Sequence, residues 1–230
     1  TKAAGSSTLA TLYNERGVQE QHPDTCAEYF GGIGAATLAL KGLYEPVAYF
    51  DNNSIAAETY NQHSPQVDQY GSMAEVLKDS TGKGSFVQQA RTAEIAFCGP
   101  PCTQITQVNP HRDETCATAR LFVDVLDVLD RTRHSMCFCE SPASVMTADG
   151  GRLYASFQDK CTHVGYVVHT YGMNARQYGS IENRHRMFFC LVRSDVHDRL
   201  GPMTPPTPTN ASPTDMRTMR EALLPADSPL

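Results

Sequence analysis

The chain has 230 residues, of which 40% are hydrophobic and 19% charged, and its formal net charge is −6. That length suits one core-bearing domain with an appendage, and the acidic balance argues against a fold that grips nucleic acid by overall charge alone. No apolar run approaches membrane-spanning length and no charged-then-apolar leader is found, so no membrane partner is expected.

Residues 1–24 are polar and weakly periodic and read as a loose lead-in. A strand is expected at 26–30, a tight glycine turn at 31–34 and a helix start at 35–41. A second strand at 46–50 ends at Asp51, and a helix at 54–63 follows with Ser54 as its cap. A weak strand at 67–70, a short helix at 73–78 and a loop at 80–84 lead to an apolar strand at 95–98. Gly99, Pro100 and Pro101 end that strand abruptly and stiffen the loop that carries Cys102. The clearest helix covers about 114–131, where Ala117, Leu121, Phe122, Val125, Val128 and Leu129 recur at one-face spacing. Strands at 135–139 and 165–168 flank a helix around 151–161, and the continuous apolar run inside 185–192 suits a central strand.

Alternation repeated this often predicts an α/β domain, with a mostly parallel sheet and helices on both faces, over residues 25–194. Beyond Arg193 five prolines arrive within a dozen residues, so 195–230 reads as an extended linker with a short helix near 216–224. The eight cysteines include no CxxC pair, which reads as reduced thiols inside a cell, with no metal site expected. Only Cys137 and Cys139 are close-set, and strand alternation aims both at one face, as core packing would.

In a parallel sheet ligands bind beyond the carboxyl ends of the strands. Three such ends offer Asp51, Cys102 and Glu140. The glycine turn lets a ligand approach the backbone closely, and a carboxylate at Asp51 can bind the two hydroxyls of an adenosine ribose. Arg184 and Arg186 open the last strand on one face, where both can hold a carboxylate or phosphate.

Together these residues resemble the cytosine carbon-5 methyltransferases that use S-adenosylmethionine. Phe30-Gly31-Gly32-Ile33-Gly34-Ala35 looks like the family's cofactor loop, with Ala35 in place of its last glycine. Asp51 matches the ribose-binding acid, Pro100-Pro101-Cys102 the nucleophile motif, and Glu140-Ser141-Pro142 the Glu-Asn-Val motif. Residues 174–179 followed by Arg184-His185-Arg186 match the arginine motif, with Ile181-Glu182 near its usual Pro-Gln, so that its glutamine is Glu182 or absent. Thr103, Ser72 and Asn52 depart from the family's usual residues.

The resemblance implies a Rossmann-like methyltransferase fold and S-adenosylmethionine as cofactor. It places the cofactor against Phe30, Gly32, Ile33, Gly34, Asp51, Asn52, Ser72, Met73 and Pro100. It implies Cys102 as the nucleophile adding to carbon 6 of cytosine, Glu140 as its partner at N3, and Arg184 with Arg186 holding the base. The implied substrate is a cytosine flipped out of duplex DNA, with an intracellular location, as in restriction-modification. Three alternatives stand beside it: the same chemistry on tRNA, a non-catalytic or partial chain completed by a second polypeptide that carries the recognition region and last motifs, and a nicotinamide-dependent oxidoreductase. The last leaves Pro100-Pro101-Cys102 and the arginine pair unexplained.

Overall fold

The computed structural model describes residues 24–78, 85–106, 109, 111, 113 and 115–210. Its strands are β1 (Thr25–Tyr29), β2 (Glu45–Phe50), β3 (Gln69–Tyr70), β4 (Ile95–Cys98), β5 (Met136–Ser141), β6 (Tyr166–Asn174) and β7 (His185–Arg193). They form one sheet in the order β3-β2-β1-β4-β5-β7-β6. β1 to β5 pair in parallel, whereas β7 runs antiparallel to both β5 and β6.

The helices are α1 (Ala35–Ala39), α2 (Ser54–His63), α3 (Met73–Lys78), α4 (Phe86–Ala90), α5 (Ala117–Thr132), α6 (Arg152–His163) and α7 (Ser194–Leu200). Strand alternation divides the core. Ala27, Phe50, Ala96, Cys137 and Leu191 face α3 to α6, whose Val76, Phe86, Leu126 and Phe157 are buried against them. On the opposite face Cys26, Ile95, Met136 and Val192 pack with Val196 of α7, and Tyr49 stacks on Tyr60 of α2 at 3.9 Å. α5 shows why its spacing is readable: the apolar stripe lies on the sheet and the charged residues face outward.

Several expectations are corrected. Asn53, not Ser54, caps α2: its side-chain oxygen accepts from the N–H groups of Ile55 and Ala56 at 3.1 and 3.2 Å, the shared acceptor that a free turn of helix requires. α5 begins at Ala117 with Cys116 as its cap, while Glu114 lies outside the described residues, as do 1–23, the loop at 80–84 and the helix expected near 216–224. The strand expected at 165–168 extends to Asn174 because each residue from Tyr166 onward pairs with β7. α4 and α7 were not expected, being five and seven residues long and too short for a readable periodicity.

The segment after α7 is also held, not merely extended. The Tyr171 hydroxyl donates to the Met203 carbonyl, the Tyr178 hydroxyl to that of Pro206 at 3.1 Å, and Asn210 N–H to that of Gln177 at 3.0 Å. Residues 201–210 thus lie strapped along β6 and the turn after it.

All eight cysteines are free thiols. Cys137 and Cys139 share a face as their alternation requires, with sulfurs 3.8 Å apart in the core.

Candidate active site

Parallel pairing of β1, β2, β4 and β5 brings their carboxyl ends to one sheet edge. The chain leaves β1 through Phe30, whose φ is +51°, and a turn in which the Gly34 N–H donates to the Gly31 carbonyl at 2.9 Å. At Gly34 the backbone is left-handed (φ +84°), and a Cβ there would stand 2.6 Å from the Tyr60 ring and 2.7 Å from that of His63. Glycine is required on both counts. At Gly32 (φ +56°) a Cβ would meet nothing within 4 Å, so the loop presents bare backbone to open space.

Asp51 fastens this loop to the next strand end. One carboxylate oxygen accepts from Gly32 N–H and the other from Asn53 N–H, both at 2.8 Å. The Tyr49 hydroxyl donates to the Gly32 carbonyl at 2.7 Å. Each Asp51 oxygen retains a lone pair, so the carboxylate can still take hydroxyl groups. Bare backbone beside such an acid fits the nucleoside end of S-adenosylmethionine.

The sequence reading missed Glu28. It sits on β1 at 5% exposure and caps α1 from below. Its carboxylate accepts from the Ala36 and Thr37 N–H groups at 3.2 and 3.3 Å and from the Thr37 hydroxyl at 2.6 Å. Burial pushes its carboxyl up, against the lowering effect of those hydrogen bonds. A lone acid inside an apolar strand was the available signal.

Glu140, near the end of β5, meets both arginines. Arg186 Nε lies 2.8 Å from Glu140 Oε1, an ion-pair distance without hydrogen-bond alignment, and Arg184 approaches the same oxygen at 3.4 Å. Among the described residues no hydrogen bond or ion pair engages Oε2. All three groups are partly exposed, so the pairs orient one another more than they stabilise the fold.

A cavity of about 600 Å³ opens at this edge. It brings together Phe30, Glu140 and Arg184 of the expected site, with Glu28 and three phenylalanines that were not expected, Phe97, Phe138 and Phe188. Phe97 and Phe138 stack across β4 and β5 at 5.4 Å, on the face opposite to Cys98 and Cys139. Gly99 reaches the wall, but Pro100 and Cys102 do not line it, nor do Gly32, Ile33, Gly34, Asp51, Asn52, Ser72, Met73 or Arg186.

Cys102 follows the stiff Gly99-Pro100-Pro101 segment and is half-buried, packed against the main core. Its carbonyl accepts from the Ile105 and Thr106 N–H groups at 3.1 and 3.0 Å, which makes it the first residue of a tight turn. Cys98 differs: it is enclosed, and burial holds its thiol well above the ordinary range, as suits an inert core group. Ile33 and Asn52 are exposed. Ser72 is committed to α3, where it and Glu75 exchange hydrogen bonds, Ser72 N–H to the Glu75 carboxylate at 2.8 Å and Glu75 N–H to the Ser72 hydroxyl at 3.4 Å.

Comparison with known proteins places the chain in a family and agrees with its fold. The sequence profile of the C-5 cytosine-specific DNA methylase family matches residues 25–225. The type II methyltransferase M.BsuFI of Bacillus subtilis is 21% identical over 75% of this chain and 40% of its own length. M.DdeI of Desulfomicrobium norvegicum is 24% identical over 78% and 43%. The chain therefore spans less than half the length of these curated relatives. Among solved structures, DNMT2 of Spodoptera frugiperda superposes with a TM-score of 0.57 at 18% identity, over 74% of this chain and 50% of that one. The Entamoeba histolytica methyltransferase EhMeth gives 0.61 at 15% identity, over 84% and 58%.

Proposed function

Since the chain belongs to the C-5 cytosine-specific DNA methylase family, a family dependent on S-adenosylmethionine, we propose that it transfers a methyl group to carbon 5 of cytosine in DNA through a covalent adduct on Cys102. The observation that carries this reading is the meeting of Glu140, Arg184 and Arg186 at the sheet edge that also bears the Asp51-locked glycine loop and the Cys102 turn.

Carbon 5 of an aromatic cytosine is a weak nucleophile. Addition of the Cys102 thiolate to carbon 6 makes carbon 5 enamine-like and pushes electron density towards N3. Glu140, with Oε1 held by two guanidiniums, turns Oε2 to N3 and moves a proton there as charge develops. Arg184, which lines the cavity, holds the base oxygen, and Arg186 fixes Glu140. S-adenosylmethionine, when bound, supplies an electrophilic methyl group on its sulfonium. The Asp51 carboxylate and the Gly32 backbone hold its ribose, and Phe30 offers a ring at the cavity wall. Loss of the carbon-5 proton to solvent, expulsion of the Cys102 thiolate and return of the N3 proton to the Glu140 carboxylate restore the aromatic ring. The target carbon is hidden in a duplex, so the base must be flipped out to reach the cavity.

The matching family profile, that of a DNA methylase, favours DNA over tRNA. Because the chain spans only part of the length of its type II relatives, we read it as a catalytic lobe whose base-reading surface is supplied by further sequence or a second polypeptide. The test is transfer of labelled methyl from S-adenosylmethionine to duplex DNA and, in parallel, to tRNA, by the wild type and by Cys102→Ser. Label in DNA that the serine variant loses supports the proposal. Label in tRNA alone reassigns the substrate, and a serine variant as active as wild type removes the covalent step.

A further inference from the structure

The groups that meet at Glu140 sit at the end of a hairpin. β6 ends at Asn174, β7 begins at His185, and Arg184 lies just outside the ladder. A residue outside the ladder has no strand to hold it, yet Arg184 must be held if its guanidinium is to stay on Glu140. What holds its backbone is the Asn174 side chain, together with one backbone bond from Ala175.

The Asn174 amide makes four contacts, and all land on the two ends of the intervening turn. Its oxygen accepts from Arg176 N–H and from Arg184 N–H, each at 3.1 Å. Its nitrogen donates to the Asn183 side-chain oxygen at 2.7 Å and meets His185 Nε2 at 2.9 Å. Two backbone N–H groups converging on one atom require that atom to be the oxygen, so the orientation of the amide follows from its surroundings. The nitrogen can then only donate, which makes His185 Nε2 an acceptor and puts the ring proton on Nδ1. The Ala175 N–H completes the clamp by donating to the Arg184 carbonyl at 3.0 Å. Both backbone groups of Arg184 are thereby tied to residues 174 and 175.

We propose that Asn174 is a positioning residue: it closes the hairpin around Arg184 so that the guanidinium stands at Glu140 before the base arrives. This rests on the functional reading above, in which Arg184 and Glu140 handle the base. A turn of ten residues between the ends of β6 and β7 would otherwise sample many conformations, and placing a charged group in advance removes that reorganisation from the reaction.

The test compares Asn174→Ala and Asn174→Asp with wild type. Aspartate keeps the oxygen acceptor for both N–H groups and loses the two donors. Amide hydrogen exchange at Arg176 and Arg184 is expected to rise about tenfold or more in the alanine variant, the cost of a lost hydrogen bond, and to return towards wild type with aspartate. The Arg184 guanidinium resonance is read in the same samples. Glu140→Gln should shift it in the wild-type background and leave it still in the Asn174→Ala background, an effect that general loosening would not produce while the melting temperature is kept. Unchanged exchange in Asn174→Ala, or an Arg184 resonance that answers Glu140→Gln equally in both backgrounds, overturns the proposal. Neither measurement depends on turnover, so loss of the methyl-transfer reading through the Cys102→Ser assay is seen separately.

Discussion

Arg186 reaches Glu140 because β7 runs against β5: in that antiparallel register Glu140 faces Phe188, two residues along from Arg186, and Nε comes to rest 2.8 Å from Oε1. The start of β7 therefore lies at the same sheet edge as the ends of β1, β2, β4 and β5. Were β7 parallel, the arginines at its start would stand at the opposite edge, about 27 Å away for a strand of nine residues.

Replacing Glu140 by Gln keeps the shape and removes the charge that both arginines address. Methyl transfer is expected to fall about 100-fold or more, the usual weight of a proton-transferring group, while S-adenosylhomocysteine binding stays as in wild type. Single-turnover transfer and calorimetry on the same protein check both halves.

Asp51→Ala removes the carboxylate that joins Gly32 to Asn53. Affinity for S-adenosylmethionine and S-adenosylhomocysteine should drop alike, by about 1.5–3 kcal/mol, as for a lost charged hydrogen-bond partner. An unchanged calorimetric affinity would take Asp51 out of the cofactor site.

The two left-handed glycines of the loop after β1 should respond differently to alanine. Gly34→Ala meets both a disfavoured φ and the Tyr60 and His63 rings, and is expected to lower stability by about 2–4 kcal/mol. Gly32→Ala meets only the φ penalty, about 1 kcal/mol, but puts a methyl group on the open side of the loop, so its main effect should be on cofactor affinity. Thermal unfolding with and without S-adenosylhomocysteine separates the two.

A buried histidine should weaken the fold at acid pH. His134 Nδ1 donates to the Ala93 carbonyl at 2.9 Å, and Nε2 accepts from the Tyr29 hydroxyl. Burial pushes its pKa down from 6.5 to about 4. The unfolded chain thus binds a proton that the folded chain refuses between these values, so the histidine's contribution to stability should fall as pH drops from about 6.5 to about 4, by about 3 kcal/mol. Glu28 and Glu94, whose carboxyls are raised by burial, act in the opposite sense and add stability as pH falls. His134→Gln isolates the histidine: its denaturation midpoint should change less across that interval than the wild type's, and an equal decline in both proteins would remove His134 as the cause.

Much of this protein follows from local pattern alone. Ile95–Cys98 reads as a strand because apolar residues run without interruption into Gly99 and two prolines, and α5 because its stripe has helical spacing; both depend on neighbours in the chain. The order of the motifs carries the family for the same reason, since the glycine loop, Asp51, the Pro-Pro-Cys turn and the arginine pair are each a few residues long. What local pattern does not contain is direction and partnership between distant segments. An apolar run suits a central strand whichever way it points, so only the assembled sheet sets β7 antiparallel and brings Arg186 to Glu140. Asn53 takes the cap from Ser54 because the helix start is decided by which oxygen meets the free N–H groups, one residue from where composition puts it. Phe97, Phe138 and Phe188 look like ordinary core residues in the chain, and become cavity walls only because their face of the sheet is open beside Glu140. Asn174 is one polar residue at a strand end until the hairpin closes and delivers two backbone N–H groups to its oxygen.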